Sequence, residues 1–406
     1  MKRRLLFAWE LGAGTGHVSP YIPLLQCLQA RGWEITVAVR DTAEVASLVR
    51  SHEFTLLQAP VSTRLFPGLD STSYNYTETL LHFGYGDPQT LRGLSEAWVS
   101  LCDLVRPDLI LCSAAPTLQF VAQCLGIPHA MIGSGYNCPP ATRPLPLFRD
   151  WAPGVEQRLQ NAEATVGSVL STVREQVFRR TGPLSIQQLL SDSPAFLCTF
   201  HELDHYPARE AGAEYCGILS ARRYPALAEA PCDVFAYLRG AQGETVVSAL
   251  AQSKLRALVY WPDAPDAAYQ RFASEHLTIS PRAVKLDQVI GGCRFVIGYG
   301  SHHLTAEALL AGKPLLLLPN HLEQELTCRA VERMGAGISN LGKARRQKPG
   351  RLLTQMIEDE SLHAAAQAFA AQYEGWSAER STEALAEHCE HMVSSHSAVV
   401  RKVVAL

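Results

Sequence analysis

The sequence lacks an excess of either charge: 36 lysines and arginines stand against 39 aspartates and glutamates, a net charge of −3. A chain so balanced has no general attraction for nucleic acid or for an anionic membrane surface, and neither is expected as a partner. Its 11 cysteines are scattered singly, with no Cys-x-x-Cys pair. That pattern suggests neither a disulfide framework nor a zinc site, and the cysteines read as small buried apolar residues in a reducing compartment. Long hydrophobic runs are missing too, since nothing approaches the roughly 20 apolar residues that a membrane helix needs. The basic start Lys2-Arg3-Arg4 is followed by only Leu5 to Trp9 before a glycine turn, too short an apolar run for a signal peptide. These absences point to the cytoplasm. The basic run Arg345-Arg346-Gln347-Lys348 reads as a solvated loop.

What is present fits two domains. A chain of 406 residues, 47% hydrophobic and 18% charged, is globular in composition and too long for one ordinary core. Short apolar runs alternate with segments of helical period, the pattern of parallel α/β architecture. Strands are predicted at 4–9, 34–39, 54–58, 108–112, 129–132 and 195–199, with helices at 19–31, 41–51, 117–125 and 157–180 between them. The prolines of 138–153 mark an irregular loop, and 216–231 reads as a linker. The plan then repeats, with strands at 234–238, 257–261, 277–279, 294–298 and 314–318 and helices at 244–253, 303–311 and 323–334. Long helices at 351–373 and 377–393 close the chain. The expected fold is therefore two tandem Rossmann-like α/β domains facing a central cleft, with C-terminal helices. In such sheets ligands bind at the carboxyl ends of the strands.

Two segments carry chemistry. Glu10-Leu11-Gly12-Ala13-Gly14-Thr15-Gly16-His17 joins the first strand to the first helix. Glycines allow close backbone approach to a ligand, and a helix N-terminus supplies N–H donors. A dinucleotide fingerprint would place its third glycine where His17 stands, and the Gly-Lys-Ser/Thr of a P-loop is absent. An imidazole there either acts as a general base near neutral pH or simply packs the loop. The second segment runs from Gly298 to Pro314, with Tyr299, Gly300, Ser301, His302, His303, Thr305 and Glu307, and is followed by Glu323-Gln324. A strand ending in Gly-x-Gly before a helix opened by hydroxyl and imidazole groups is a credible pyrophosphate cradle. The carboxylate-amide pair beyond it suits sugar hydroxyls. Phe66, Tyr74, Tyr76, His82, Phe83 and Tyr85 crowd one otherwise weakly patterned stretch, either as stacking surfaces for an acceptor or as a satellite core.

Gly14-Thr15-Gly16-His17-Val18-Ser19-Pro20 resembles the N-terminal Gly-His-x-x-Pro motif of the inverting UDP-glycosyltransferase group, which has the two-domain GT-B fold. Glu307-Ala308-Leu309, Gly312-Lys313-Pro314, Pro319 and Glu323-Gln324 resemble that family's donor-binding segment, and the order and spacing match across nearly the whole chain. The resemblance implies an acceptor-binding domain over 1–215, a donor-binding domain over 216–375, and a helix over 376–406 packing back on the first domain. It implies metal-independent transfer, with inversion, of a sugar from a UDP- or dTDP-sugar co-substrate to the hydroxyl of a small-molecule or lipid-like acceptor. His17 would be the general base. Gly14, Gly16, Tyr299, Gly300, Ser301, His302, His303, Thr305, Glu307, Glu323 and Gln324 would bind the donor, and Phe66, Tyr85 and Tyr136 the acceptor. Three positions depart from the family: Tyr299 replaces a histidine, Leu304 a hydroxyl residue, and Ser113 the aspartate that orients the catalytic histidine. Glu10, in the same loop, is the nearest acid in sequence to stand in for that aspartate. These departures leave open a non-catalytic or altered-donor protein of the same fold.

Overall fold

The computed structural model describes residues 2–64, 66–69, 72–149, 154–210, 212–220, 231–240, 242–272, 274–341 and 348–404. Pro153 of the proline-rich loop, most of the linker (221–230) and Arg345-Arg346-Gln347 lie outside the described residues. The chain divides into two compact units. One comprises Met1–Thr199, Tyr206–Ser220 and Glu379–Leu406, and the other Phe200–His205 and Ala221–Ala378.

The first unit is built on β1 (Arg4–Trp9), β2 (Glu34–Val39), β3 (Thr55–Gln58), β4 (Leu109–Ser113), β5 (His129–Gly133) and β6 (Ala195–Leu197). All pair in parallel in the order β3-β2-β1-β4-β5-β6. A parallel sheet is covered on both faces, so its strands are continuously apolar. In β1, Leu5, Phe7 and Trp9 enter one core with Val37 and Leu111, while Leu6 and Ala8 enter a second with Trp98 and Cys112. The first core also takes Leu385, Ala386 and Cys389 from the last helix, Ala378–Val404.

The second unit repeats the design with β7 (Val234–Tyr237), β8 (Ala257–Tyr260), β9 (Leu277–Ser280), β10 (Phe295–Gly298), β11 (Leu315–Leu317) and β12 (Gly337–Ser339). The parallel order is β12-β11-β10-β7-β8-β9. Each sheet therefore has the same winding. The first strand of the unit lies beside the fourth, β1 by β4 and β7 by β10, and the chain departs from that pair in opposite directions. This switch point leaves a crevice at the carboxyl ends of the strands. The two Rossmann-like sheets expected from the sequence are present.

Several elements differ from the sequence expectation. The first helix begins at Ile22, not Ser19, because Thr15–His17 and Ser19–Tyr21 form tight 3-10 turns around Pro20. The weakly patterned stretch is ordered: Tyr76–Leu80 is a helix capped by Asn75, and it continues into a wide turn, Leu81–Tyr85, that Gly84 bends at φ 95°. An 18-residue helix, Pro88–Val105, follows. Its signals are an Asp87 cap, Pro88 in the first turn, and the buried stripe Leu91, Ser95, Trp98, Cys102. The predicted helix over 351–373 is two helices, Pro349–Glu358 and Glu360–Gln372, broken at the extended Asp359, whose side chain caps the second. Strand β12 is too short for periodicity to show. Among the described residues, no helix is long and apolar enough to cross a membrane.

Candidate functional site

In the first unit the switch point carries the glycine loop. After Trp9 the backbone N–H groups of Glu10 and Leu11 both donate to Ala114 O (3.2 and 3.0 Å), tying the loop to the end of β4. Gly12 and Gly14 both adopt φ 89°, a left-handed conformation that side chains disfavour. The loop folds back so that the His17 imidazole stacks on the Trp9 indole, with ring centroids 5.2 Å apart and planes 14° from parallel. Gly12 lies directly beneath the ring: a Cβ there would stand 2.4 Å from His17 Nε2. Trp9 is itself fixed, fully buried and donating Nε1–H to Leu11 O at 2.6 Å.

No carboxylate pairs with this imidazole among the described residues. Glu10 is buried and turned away, accepting from the N–H groups of Thr117 (3.1 Å) and Leu118 (2.7 Å) at the start of the helix Pro116–Leu125. Burial pushes its carboxyl up to about 7, against the pull of those hydrogen bonds. Glu10 is thus an N-terminal cap, not a partner of His17. Ser113 ends β4 level with Trp9, and its buried hydroxyl has no partner. Burial first, and the Arg40 charge second, lower the His17 pKa to about 4, so the ring is neutral at pH 7. Sequence patterning does not single out Trp9 or Arg40. The available signal is that Trp9 ends a predicted strand and Arg40 follows one, the positions that reach the carboxyl edge of a sheet.

The expected acceptor residues separate. Tyr85 is 1% exposed and donates its hydroxyl to Thr117 Oγ1 at 3.2 Å, and Tyr76 is buried as well, so both belong to the core. Phe66, Tyr74, His82 and Phe83 are half-buried. Tyr136 is half-buried and stacks on Phe148 with centroids 5.0 Å apart.

In the second unit the segment Gly298–Glu307 runs on from the corresponding strand end, that of β10. Gly300 adopts φ 81°, and a Cβ on it would lie 2.8 Å from both Gln324 O and Cys328 Sγ. The glycine therefore lets the loop after β10 touch the helix Leu322–Met334, which brings the two expected donor segments together. Ser301 caps the helix His302–Leu310 with no side-chain bond to it. Leu304, Thr305 and Glu307 face inward and are buried. Ser301 is accordingly the more accessible hydroxyl at the helix start. His302 approaches His205, with ring centroids 6.2 Å apart, and burial is the chief cause lowering it to about 3. His303 Nε2 lies 3.4 Å from Glu307 Oε1. Gln324 Oε1 accepts from Asn320 N at 2.9 Å, with Glu323 beside it in the same first turn. Tyr299 points into the unit: it is 4% exposed, set edge-on to Tyr237 at 5.6 Å, with an unpartnered hydroxyl.

No family model matches the sequence. The chain is 27% identical over 367 residues to a "PGL/p-HBAD biosynthesis rhamnosyltransferase" of Mycobacterium bovis (strain BCG / Pasteur 1173P2), covering 83% of this chain and 76% of that protein. The crystal structure of the glycosyltransferase VinC in complex with dTDP superposes with a TM-score of 0.65 at 15% identity, covering 97% of this chain and 100% of that one. The spinosyn rhamnosyltransferase SpnG complexed with thymidine diphosphate gives 0.64 at 16% identity, covering 94% and 99%. The chain therefore has the GT-B fold of these glycosyltransferase structures, and its sequence is similar to that of the mycobacterial rhamnosyltransferase.

Proposed function

We propose that the protein is a glycosyltransferase that moves a sugar from a dTDP-sugar, of the rhamnose type, to an acceptor hydroxyl. The observation that carries this reading is the pair of glycine-built switch points, one presenting a neutral imidazole and the other a helix N-terminus. His17, held flat on Trp9, takes the proton of the acceptor hydroxyl. The acceptor oxygen then bonds to the anomeric carbon from the face opposite the diphosphate, which leaves with the electrons of its C–O bond and inverts that carbon. The start of the helix His302–Leu310 favours the diphosphate charge, with the Ser301 hydroxyl at its opening. Glu323 and Gln324 suit the sugar hydroxyls. Similarity to rhamnosyltransferases and to transferases solved with dTDP supports this choice of donor over a UDP-sugar.

The test is a thermal-shift and transfer assay across dTDP- and UDP-sugars. A ligand at a hundred times its Kd adds about 2.7 kcal/mol of stability, a readily measured rise in Tm. His17→Ala should lower transfer by about two to four orders of magnitude while leaving dTDP binding unchanged. Unaltered turnover would remove His17 from the mechanism. Donor binding with neither transfer nor hydrolysis would favour a non-catalytic protein of this fold, for which the missing carboxylate beside His17 is the motivating observation.

A further inference from the structure

One charge at the glycine loop is unaccounted for. Arg40 follows β2, and its backbone N–H donates to Trp9 O at 3.0 Å, next to the indole that carries His17. Its half-buried side chain has no hydrogen bond or ion pair among the described residues. It lines a cavity together with Glu10, Leu11, Ser62, Phe83 and Thr117. Glu10 does not neutralise it, because both its oxygens accept from Thr117 and Leu118. A half-buried guanidinium whose charge reaches a base is unfavourable in two ways. It forgoes the charge-assisted hydrogen bonds that normally offset desolvation, and it opposes the imidazolium formed when His17 takes a proton. A carboxylate facing His17 would relieve the second effect, but Ser113 and Glu10 supply none, and the Glu44 carboxylate at the loop is taken by the Gly14 N–H at 3.2 Å.

We propose that the acceptor brings the missing negative charge: it is an anionic molecule whose carboxylate seats on Arg40 while its hydroxyl faces His17. The inference rests on the reading of His17 as the acceptor-side base. The cavity is small, about 20 Å³, large enough for a water-sized polar group. The planar guanidinium fork matches a carboxylate edge, with the body of the acceptor outside the cavity. Binding cancels the Arg40 charge, so His17 becomes a stronger base only when an acceptor is in place. A neutral alcohol leaves the guanidinium uncompensated and the base weak.

The experiment titrates the His17 ring by NMR in the full chain, its signal assigned with His17→Gln, in the presence of benzoate or its neutral analogue benzamide. Benzoate should raise the His17 midpoint by about one pH unit and bind about tenfold more tightly than benzamide. Arg40→Met should raise the midpoint of the free protein and abolish the preference for benzoate. Arg40→Lys, which keeps the charge, should retain both effects and shows that loss in the Met variant is not misfolding. Equal binding of the two ligands, no shift with benzoate, or an unchanged midpoint in Arg40→Met each overturns the proposal. None of these measurements uses a sugar donor. Transfer to neutral alcohols alongside a silent benzoate titration would discard the anionic acceptor and keep the transferase. Failure to bind any nucleotide-sugar would do the reverse.

Discussion

At the scale of single residues, the candidate site depends on a glycine as much as on a histidine. Gly12 is required twice, by its φ of 89° and by the 2.4 Å that would separate its Cβ from His17 Nε2. Gly12→Ala should push the imidazole off Trp9 while the sheet beneath stays intact. Misplacing a reacting group by about 1 Å can cost about a hundredfold in rate. Steady-state kinetics should therefore show a large fall in kcat with dTDP binding retained, and wild-type kcat in this variant would mean that the stacked ring is not the acting conformation. Glu10 teaches a different lesson. Proximity in sequence suggests it as the partner of His17, but two backbone N–H groups over a hundred positions away hold its carboxylate. A helix start offers unsatisfied donors at fixed positions, and a buried carboxylate satisfies its need for hydrogen bonds there.

At the scale of elements, the second unit relies on contacts that only glycine permits. Gly300 brings the turn after β10 against the backbone of the helix Leu322–Met334, and Gly337 lets β12 approach Leu315 O to 2.4 Å of a hypothetical Cβ. Gly300→Ala combines an unfavourable φ with a clash against backbone, which cannot yield as a side chain end would. A loss of about 1–3 kcal/mol is expected in denaturant unfolding, with weaker dTDP binding because the helix start moves. Unchanged Cm and unchanged dTDP affinity would show that the loop relaxes freely. The helix starts themselves follow local chemistry. Asp41 accepts from the N–H groups of Ala43 and Glu44, Asp87 from Gln89 and Thr90, and Ser185 forms a capping box with Gln188.

At the scale of the whole molecule, buried ionisable groups give stability a signed dependence on pH. Burial lowers His17 to about 4 and His302 to about 3, and it lowers His129 and His363 as well. Each such imidazole binds its proton more weakly folded than unfolded. Its contribution is complete above the ordinary value of 6.5 and is lost as the pH falls toward the folded value. Glu10 has the opposite sign: raised to about 7, its contribution is complete below the ordinary 4.5 and is lost as the pH rises through 7. Among the described residues these imidazoles outnumber the one raised carboxyl, so stability, and Tm with it, should fall between pH 7 and pH 5, by up to about 1.4 kcal/mol per pH unit for each imidazole titrating. Substituting His17 and His302 by Gln should flatten that decline, and a Tm that rises on acidification would contradict these histidines being buried neutral.

The sequence by itself determined the two parallel sheets and the identity of the glycine loop that holds His17. Those features rest on hydrophobic periodicity and on backbone conformation, which are properties of neighbouring residues. It also carried the signals of the helix Pro88–Val105, an acidic cap and an apolar stripe, although short segments such as β12 gave none. Only the tertiary structure decided which charges meet. It set His17 on Trp9, left the Arg40 side chain without a hydrogen bond or ion pair among the described residues, turned Glu10 into a helix cap and sank Tyr299 and Thr305 into the interior. Electrostatic coupling follows distance through space, and the groups that share a sheet's carboxyl edge come from strands and helices far apart along the chain.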